Sequence, residues 1–319
     1  MVSIKIKNIG KKDYLYAEYS FRLLNNKIKK ISKLIKEKGD IEKKEIRDYF
    51  FQKEIEAHQK YAFEKYQTDL ILTKERLSKI EALRIEYKYL LKRLTKKQMK
   101  DVLDRFTVNF TYESNAIEGN SLTLKDVTMV IKENIVPKGA DLRDIYETRN
   151  TREAHELLFD KKIKINLKDI INVHSLLVRD TGITAGFKKV PNFLLMRNVD
   201  TTPPENVDKE MMRLVEWYNS LKGKEHPLKL ATEFHAKFER IHPFEDGNGR
   251  VGRLLINAIL LEHDYPPLII RKTMRVSYFS ALEAYDKGYK DKLYRFVVDK
   301  FLRTFDEFFK IYVKYTWVN

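Results

Sequence analysis

Residues 41–104 contain neither glycine nor proline. Across them, in stretches such as "IEKKEIRDYFFQKEIEAHQKYAFEKY" and "LSKIEALRIEYKYLLKRL", apolar residues recur at intervals of three and four with charges between them. A stretch this long, with apolar stripes and no breaker, reads as helix. We expect two or three long helices, with an antiparallel hairpin as one way to bury the stripes. The segment holds no catalytic constellation, so it reads as a packing or interaction element.

The pieces on either side differ. Residues 2–36 read as a small β-meander: "SIKIKNI" and "YLYAEYSF" alternate, "LLNNK" offers an Asn-Asn turn, and "IKKISKLI" supplies a third strand. Beyond residue 105, Thr123 with Asp126 forms a helix-start pair, and Pro137 and Gly139 punctuate the chain. Helical segments follow, interrupted by "DTGITAGFKKVPNFLLMRNVDTTPPE", a loop-rich stretch whose "NFLLMR" run can pair as a strand or hairpin. The fold class expected is mostly α with small β pieces. We divide the chain into 1–104, a basic region of β-meander and helices, and 105–319, which carries the chemistry.

Charge follows the same division. The net charge is +16, and residues 1–100 supply +13 of it, with 27 Lys and Arg against 14 Asp and Glu. That excess suits an acidic partner, nucleic acid included, or simply a solvated lysine-rich face; the charges are interspersed, which favours the latter. There is no cysteine. Disulfides, thiol catalysis and cysteine-bound zinc are excluded, and a reducing, cytoplasmic location is expected. No apolar run of membrane-spanning length occurs, and the N-terminus has no apolar stretch of a secretory signal.

The richest chemistry lies between two apolar helical segments, in "FHAKFERIHPFEDGNGRVGRLLINAILLEH". Pro243 cannot continue the first helix, so His242 sits where helix gives way to loop. Its neutral ring can take up a proton near neutral pH, as a general base must. Gly247-Asn248-Gly249 then leads into a second helix. A glycine-rich loop feeding a helix N-terminus is an anion site. Arg250 and Arg253 share a face of that first turn, where the dipole disfavours cations. Something anionic should compensate them, and a polyphosphate would. Asp246 lies beside the anion site, where a carboxylate is a natural Mg²⁺ ligand. The loop is no EF-hand, because Arg250 falls where an oxygen ligand is needed. A zinc site from His235, His242 and Asp246 lacks a metal-binding spacing. The combination points to phosphoryl or nucleotidyl transfer.

"HPFEDGNGRVGR" matches the signature of Fic-domain proteins, H-P-F-x-[DE]-G-N-G-R-x-x-R, at every specified position. The sequence resembles that family from about residue 110 to about residue 300. The resemblance implies a Fic-type helical core with a β-hairpin flap, and transfer of AMP from ATP to a Ser, Thr or Tyr hydroxyl of a protein, this chain itself included. It implies His242 as the base and Asp246 as the ligand of Mg²⁺, with Mn²⁺ as the alternative. Gly247, Asn248, Gly249 and Arg250 would hold the α- and β-phosphates, and Arg253 the γ-phosphate. Phe244 would pack under the loop. More weakly, Tyr278 would lie on the adenine side, and Leu194, Leu195, Met196 and Arg197 in the flap, where a target adds as a strand. Subfamilies that transfer phosphocholine or phosphate exist; the intact glycine loop here favours adenylylation.

"TYESNAIEGNSLTL", residues 111–124, is similar to the family's inhibitory motif in Ser114, Glu118 and Gly119. The resemblance implies an inhibitory helix near 111–119 whose Glu118 pairs with Arg253 in place of the γ-phosphate. On the residues alone, Glu118 simply ends a helix before Gly119. Some such relatives also remove AMP from their targets, and many form homodimers. The alternatives are therefore a de-AMPylating phosphodiesterase at the same site, or a nucleic-acid-binding regulator acting through residues 1–100.

Overall fold

The computed structural model describes residues 2–9, 12–35, 43–194 and 199–318. Two compact units divide it, Met1–Glu86 and Tyr87–Asn319.

In the first unit, strands β1 (Ser3–Ile9), β2 (Lys12–Arg22) and β3 (Ile28–Ile35) form an antiparallel sheet in sequence order. The β2–β3 turn places Asn26 at φ 63°, a left-handed conformation that asparagine tolerates well. Alternation puts Leu15, Ala17, Tyr19, Ile31 and Ile35 on one face, against Ile46, Tyr49 and Phe50 of helix α1 (Lys43–Lys65). On the other face Lys5, Lys7 and Lys30 surround Glu18 at 3.3, 2.9 and 2.7 Å. The three ammonium groups hold its carboxylate well below the usual range.

The long breaker-free stretch is three helices: α1, α2 (Lys74–Arg93) and α3 (Lys96–Ile117). Short polar side chains make the breaks. Asp69 Oδ1 accepts from the N–H groups of Ile71 and Leu72 at 2.8 and 2.7 Å. Thr95 opens α3 with a capping box closed by Gln98. The contact boundary between the units falls within α2, whereas the sequence suggests a division at residue 104. That position lies inside α3, which continues unbroken into the second unit's core through Phe106 and Phe110.

The second unit continues with α4 (Leu124–Thr128) and a π-helical turn (Met129–Glu133), then α5 (Leu142–Phe159), α6 (Leu167–Leu177) and α7 (Pro204–Leu221). Next come α8 (Pro227–Ile241), α9 (Asn248–Glu262), α10 (Arg275–Asp286), α11 (Lys290–Thr304) and α12 (Lys310–Val318). Thr123 and Asp126 make the expected capping box at α4. Helices α8 and α9 pack on each other at the centre, with α3, α5 and α6 against α9, and α7, α10 and α11 against α8. Helix α9 is buried almost throughout. The pair approaches so closely that a Cβ on Gly252 would lie 2.8 Å from both Glu239 Oε1 and His235 Nδ1. Among the described residues no helix is long and apolar enough to cross a membrane.

Candidate active site

The loop joining α8 to α9 is built from within. His242 ends α8 in a left-handed conformation, φ 51° and ψ 61°, with its N–H on Phe238 O at 2.9 Å. That conformation costs a non-glycine residue roughly 1 kcal/mol or more. It turns the ring out of the helix, leaving the side chain 17% exposed with Nδ1 4.0 Å from Glu239 Oε2. Phe244 is fully buried. Asn248 clasps its backbone in both directions, accepting from Phe244 N at 2.9 Å and donating to Phe244 O at 2.8 Å. The Asn248 side chain therefore faces inward, which leaves its N–H as the group available to a ligand. Gly247, at φ 80°, caps α9, where the first N–H groups have no intrahelical partner.

The two arginines of α9 have anionic partners from the chain itself. Arg253 is buried, with Nη2 2.7 Å from Glu118 Oε1. Its Nε donates to Ser114 Oγ at 3.0 Å, and Nη2 to Ser114 O at 2.8 Å. Burial works against the charge on Arg253, and Glu118 leads the groups that outweigh it. Glu118 is held in direction by the end of α3: Gly119 N–H bonds Ala116 O at 3.3 Å and Asn120 N–H bonds Asn115 O at 3.1 Å. Those two bonds form a Schellman closure, which requires the positive φ of Gly119, here 107°. So Glu118 both ends a helix and pairs with Arg253. The same helix end is pinned by Arg271 on Glu113 at 3.0 Å and Arg275 on Ile117 O at 2.7 Å.

Arg250 is also buried, 3.0 Å from Glu147 Oε1 and 3.6 Å from Asp246 Oδ2. Asp246 bonds a second guanidinium, that of Arg143, and accepts from Gly247 N at 2.5 Å. Among the described residues no group of three or more His, Asp or Glu side chains could hold a metal alone. A magnesium ion needs no such cage: one carboxylate plus substrate phosphates is its usual setting. Asp246 is 36% exposed and already bears cationic partners. The exposed carboxylate has the right chemistry for a divalent ion, while its cationic partners compete with one.

Several supporting residues escape the sequence reading. His174 of α6 stacks on Phe244 with ring centroids 3.8 Å apart and planes 5° apart. Gly186 N donates to its Nδ1 at 3.2 Å, so Nε2 carries the proton given to Asp246 O at 3.0 Å. Burial lowers its pKa to about 4. Lys188 donates from its backbone to Pro243 O at 2.9 Å, and its ammonium bonds Asn192 Oδ1 at 2.6 Å and Thr201 Oγ1 at 3.1 Å. Burial pulls that ammonium down to about 8. Asn192 in turn donates to Phe244 O at 2.8 Å. Together they tie the base of the expected flap to the loop. Leu194 lies half-buried just beyond; Leu195, Met196 and Arg197 fall outside the described residues. Tyr278 points inward, fully buried, with its hydroxyl 2.6 Å from His235 Nε2.

Residues 164–260 match the Fic/DOC family. That stretch is a Fic/DOC domain. It is 33% identical over 217 residues to the Nematostella vectensis protein named "Protein adenylyltransferase Fic", a match covering 66% of this chain and 50% of the relative. The Drosophila virilis protein of that name is 31% identical, with 61% of this chain and 41% of the relative covered. The chain thus spans half or less of the length of these curated relatives. Its Fic fold resembles a solved Fic domain containing signaling protein from Bacteroides thetaiotaomicron, with TM-score 0.67 and 27% identity, covering 74% of this chain and 96% of that one.

Proposed function

We propose that this Fic-domain chain is a protein adenylyltransferase, transferring AMP from ATP to a Ser, Thr or Tyr hydroxyl of a protein and held in check by Glu118. The observation that carries the reading is the position of Arg253. It is the buried cation at the mouth of the glycine nest, and a carboxylate of the same chain already occupies it at 2.7 Å. The names of the relatives support the chemistry.

In this reading the target hydroxyl attacks the α-phosphorus of ATP. His242 accepts its proton, a bond forms from the hydroxyl oxygen to phosphorus, and the bond to the β-phosphate oxygen breaks. Pyrophosphate leaves and AMP stays on the target. The N–H groups at the start of α9 meet the phosphates, where the helix dipole also favours negative charge. Arg253, released from Glu118, neutralises the γ-phosphate. Asp246 would hold Mg²⁺, which when bound would neutralise phosphate charge and orient the triphosphate. Phe244, Asn248 and His174 hold the loop's shape, so little reorganisation is needed during transfer.

A second reading at the same site has one observation in its favour. The Glu118 side chain is 30% exposed while paired, so its carboxylate can meet water. Glu118 positioning a water on an AMP-modified target would make the chain a de-AMPylating phosphodiesterase.

The test compares wild type with His242→Ala, using labelled ATP, Mg²⁺ and a cell lysate, with nucleotide binding measured in parallel. Loss of transfer with retained binding supports the base role; transfer that survives the substitution removes His242 from it. Release of AMP from a pre-labelled target, lost in Glu118→Gly, would favour the second reading.

A further inference from the structure

Asp246 is already bonded to a cation of the chain's own. Arg143 stands in the first turn of α5, next to the capping residue Asp141, which accepts from its N–H at 2.7 Å. A cation is electrostatically misplaced at a helix N-terminus. Arg143 is compensated there by two carboxylates: its Nη2 donates to Asp246 Oδ2 and its Nε to Glu147 Oε1 at 3.2 Å. Glu147 Oε1 also lies in an ion pair 3.0 Å from Arg250 Nη1. Two arginines and two carboxylates therefore close a ring at the mouth of the loop.

The two arginines differ in freedom. The Arg250 side chain is 1% exposed and packed under the loop. That of Arg143 is 48% exposed. Glu147 lies one turn along the same helix, so Arg143 can release Asp246 and still keep a partner. A divalent ion and a guanidinium on one carboxylate repel each other.

We propose that Arg143 is a resident counter-cation of Asp246, which a divalent ion must displace before the site holds nucleotide. Arg143 then sets how much metal the site requires. This rests on reading the loop as a metal-assisted nucleotide site. Because half-exposed ion pairs are weak, the effect is severalfold rather than many decades.

The test is calorimetric binding of α,β-methylene-ATP to the full chain across a Mn²⁺ titration, read as the Mn²⁺ concentration giving half-maximal binding. For Arg143→Gln we expect that midpoint to fall about three- to fivefold, with the gap narrowing at high salt. Arg143→Lys, which keeps a charge but loses the fork, should fall between the two. An unchanged or raised midpoint in Arg143→Gln overturns the proposal; a raised one makes Arg143 an aid to the metal. Where a melting curve shows that Arg143→Gln does not fold, Arg143→Lys decides, a lowered midpoint supporting and an unlowered one overturning. Nucleotide binding that ignores Mn²⁺ in wild type and variants alike would instead overturn the underlying reading of the site.

Discussion

Glu118 Oε1 lies 2.7 Å from Arg253 Nη2, and the same oxygen sits against the glycine nest. A Cβ on Gly249 would come within 2.1 Å of it and within 2.9 Å of Arg253 Nη1. Gly249 therefore has to be small, because its Cα leaves room for the Glu118 carboxylate. The two α9 arginines, misplaced beside a helix N-terminus, are compensated by Glu118 and by Glu147 with Asp246. The chain supplies itself the anions that the sequence seemed to demand of a ligand.

Ser114 holds Arg253 from the same helix end. Ser114→Ala removes the 3.0 Å bond to Nε but leaves the carbonyl bond to Nη2. We expect a loss of about 1 kcal/mol in stability. AMP transfer should rise severalfold, less than on removing Glu118. Urea unfolding and a labelled-ATP assay check the two halves; transfer unchanged from wild type would detach Ser114 from the brake.

His174 supports the loop rather than reacting. His174→Ala removes the ring stacked on Phe244 and the donor to Asp246 O. The expected cost is about 3 kcal/mol, near that of other large-to-small core changes. Weakened nucleotide binding should accompany it. Full binding in a stably folded His174→Ala protein would contradict this role.

His155 is fully buried, with its ring centroid 4.4 Å from that of Phe110 and 5.7 Å from that of Phe159. Neither ring nitrogen has a hydrogen-bond partner among the described residues. His155→Leu should stabilise the fold by about 1 kcal/mol at pH 7, because an unsatisfied polar ring is costly to bury. Destabilisation would show that the ring is bonded after all.

Acid should act through the same residues. Burial lowers the pKa of His155 to about 3 and that of His174 to about 4. Unfolded, both titrate near about 6.5. Their contribution is complete above that value and is lost as pH falls towards 4, because only the unfolded chain takes up the protons. The slope they add is up to about 2.7 kcal/mol per pH unit. Unfolding free energies measured from pH 7 to pH 4.5 check this, and His155→Leu should remove part of the slope.

Gly252 is tight for a packing reason. Gly252→Ala would set a methyl 2.8 Å from Glu239 Oε1 and His235 Nδ1, between the two central helices. The expected cost is about 1–3 kcal/mol. A melting temperature equal to wild type would mean that the pair separates more easily than its packing implies.

The loop between α8 and α9 is legible because its parts are local. Pro243, Gly247 and Gly249 announce helix, turn and helix within a few residues, and the meander announces itself by alternation. The helix breaks near Asp69 and Thr95 were hidden, because polar side chains made them instead of glycine or proline. The division at residue 104 falls inside α3, which nothing interrupts before Gly119. The ring of Arg143, Asp246, Glu147 and Arg250 was illegible too, since Arg143 and Asp246 meet across 103 residues. Nothing in the run "NLKDIINVHSLLVR" singles out His174. Its place is set by Phe244, which packing alone brings near.

AMP transfer restrained by Glu118 is tested by incubating wild type and Glu118→Gly with labelled ATP, Mg²⁺ and lysate and counting label bound to protein. We expect weak labelling by wild type and a rise of tenfold or more in Glu118→Gly, on the order of the effect of releasing one charge-assisted contact. Equal labelling by the two proteins would contradict the restraint, and no labelling by either would contradict the transfer.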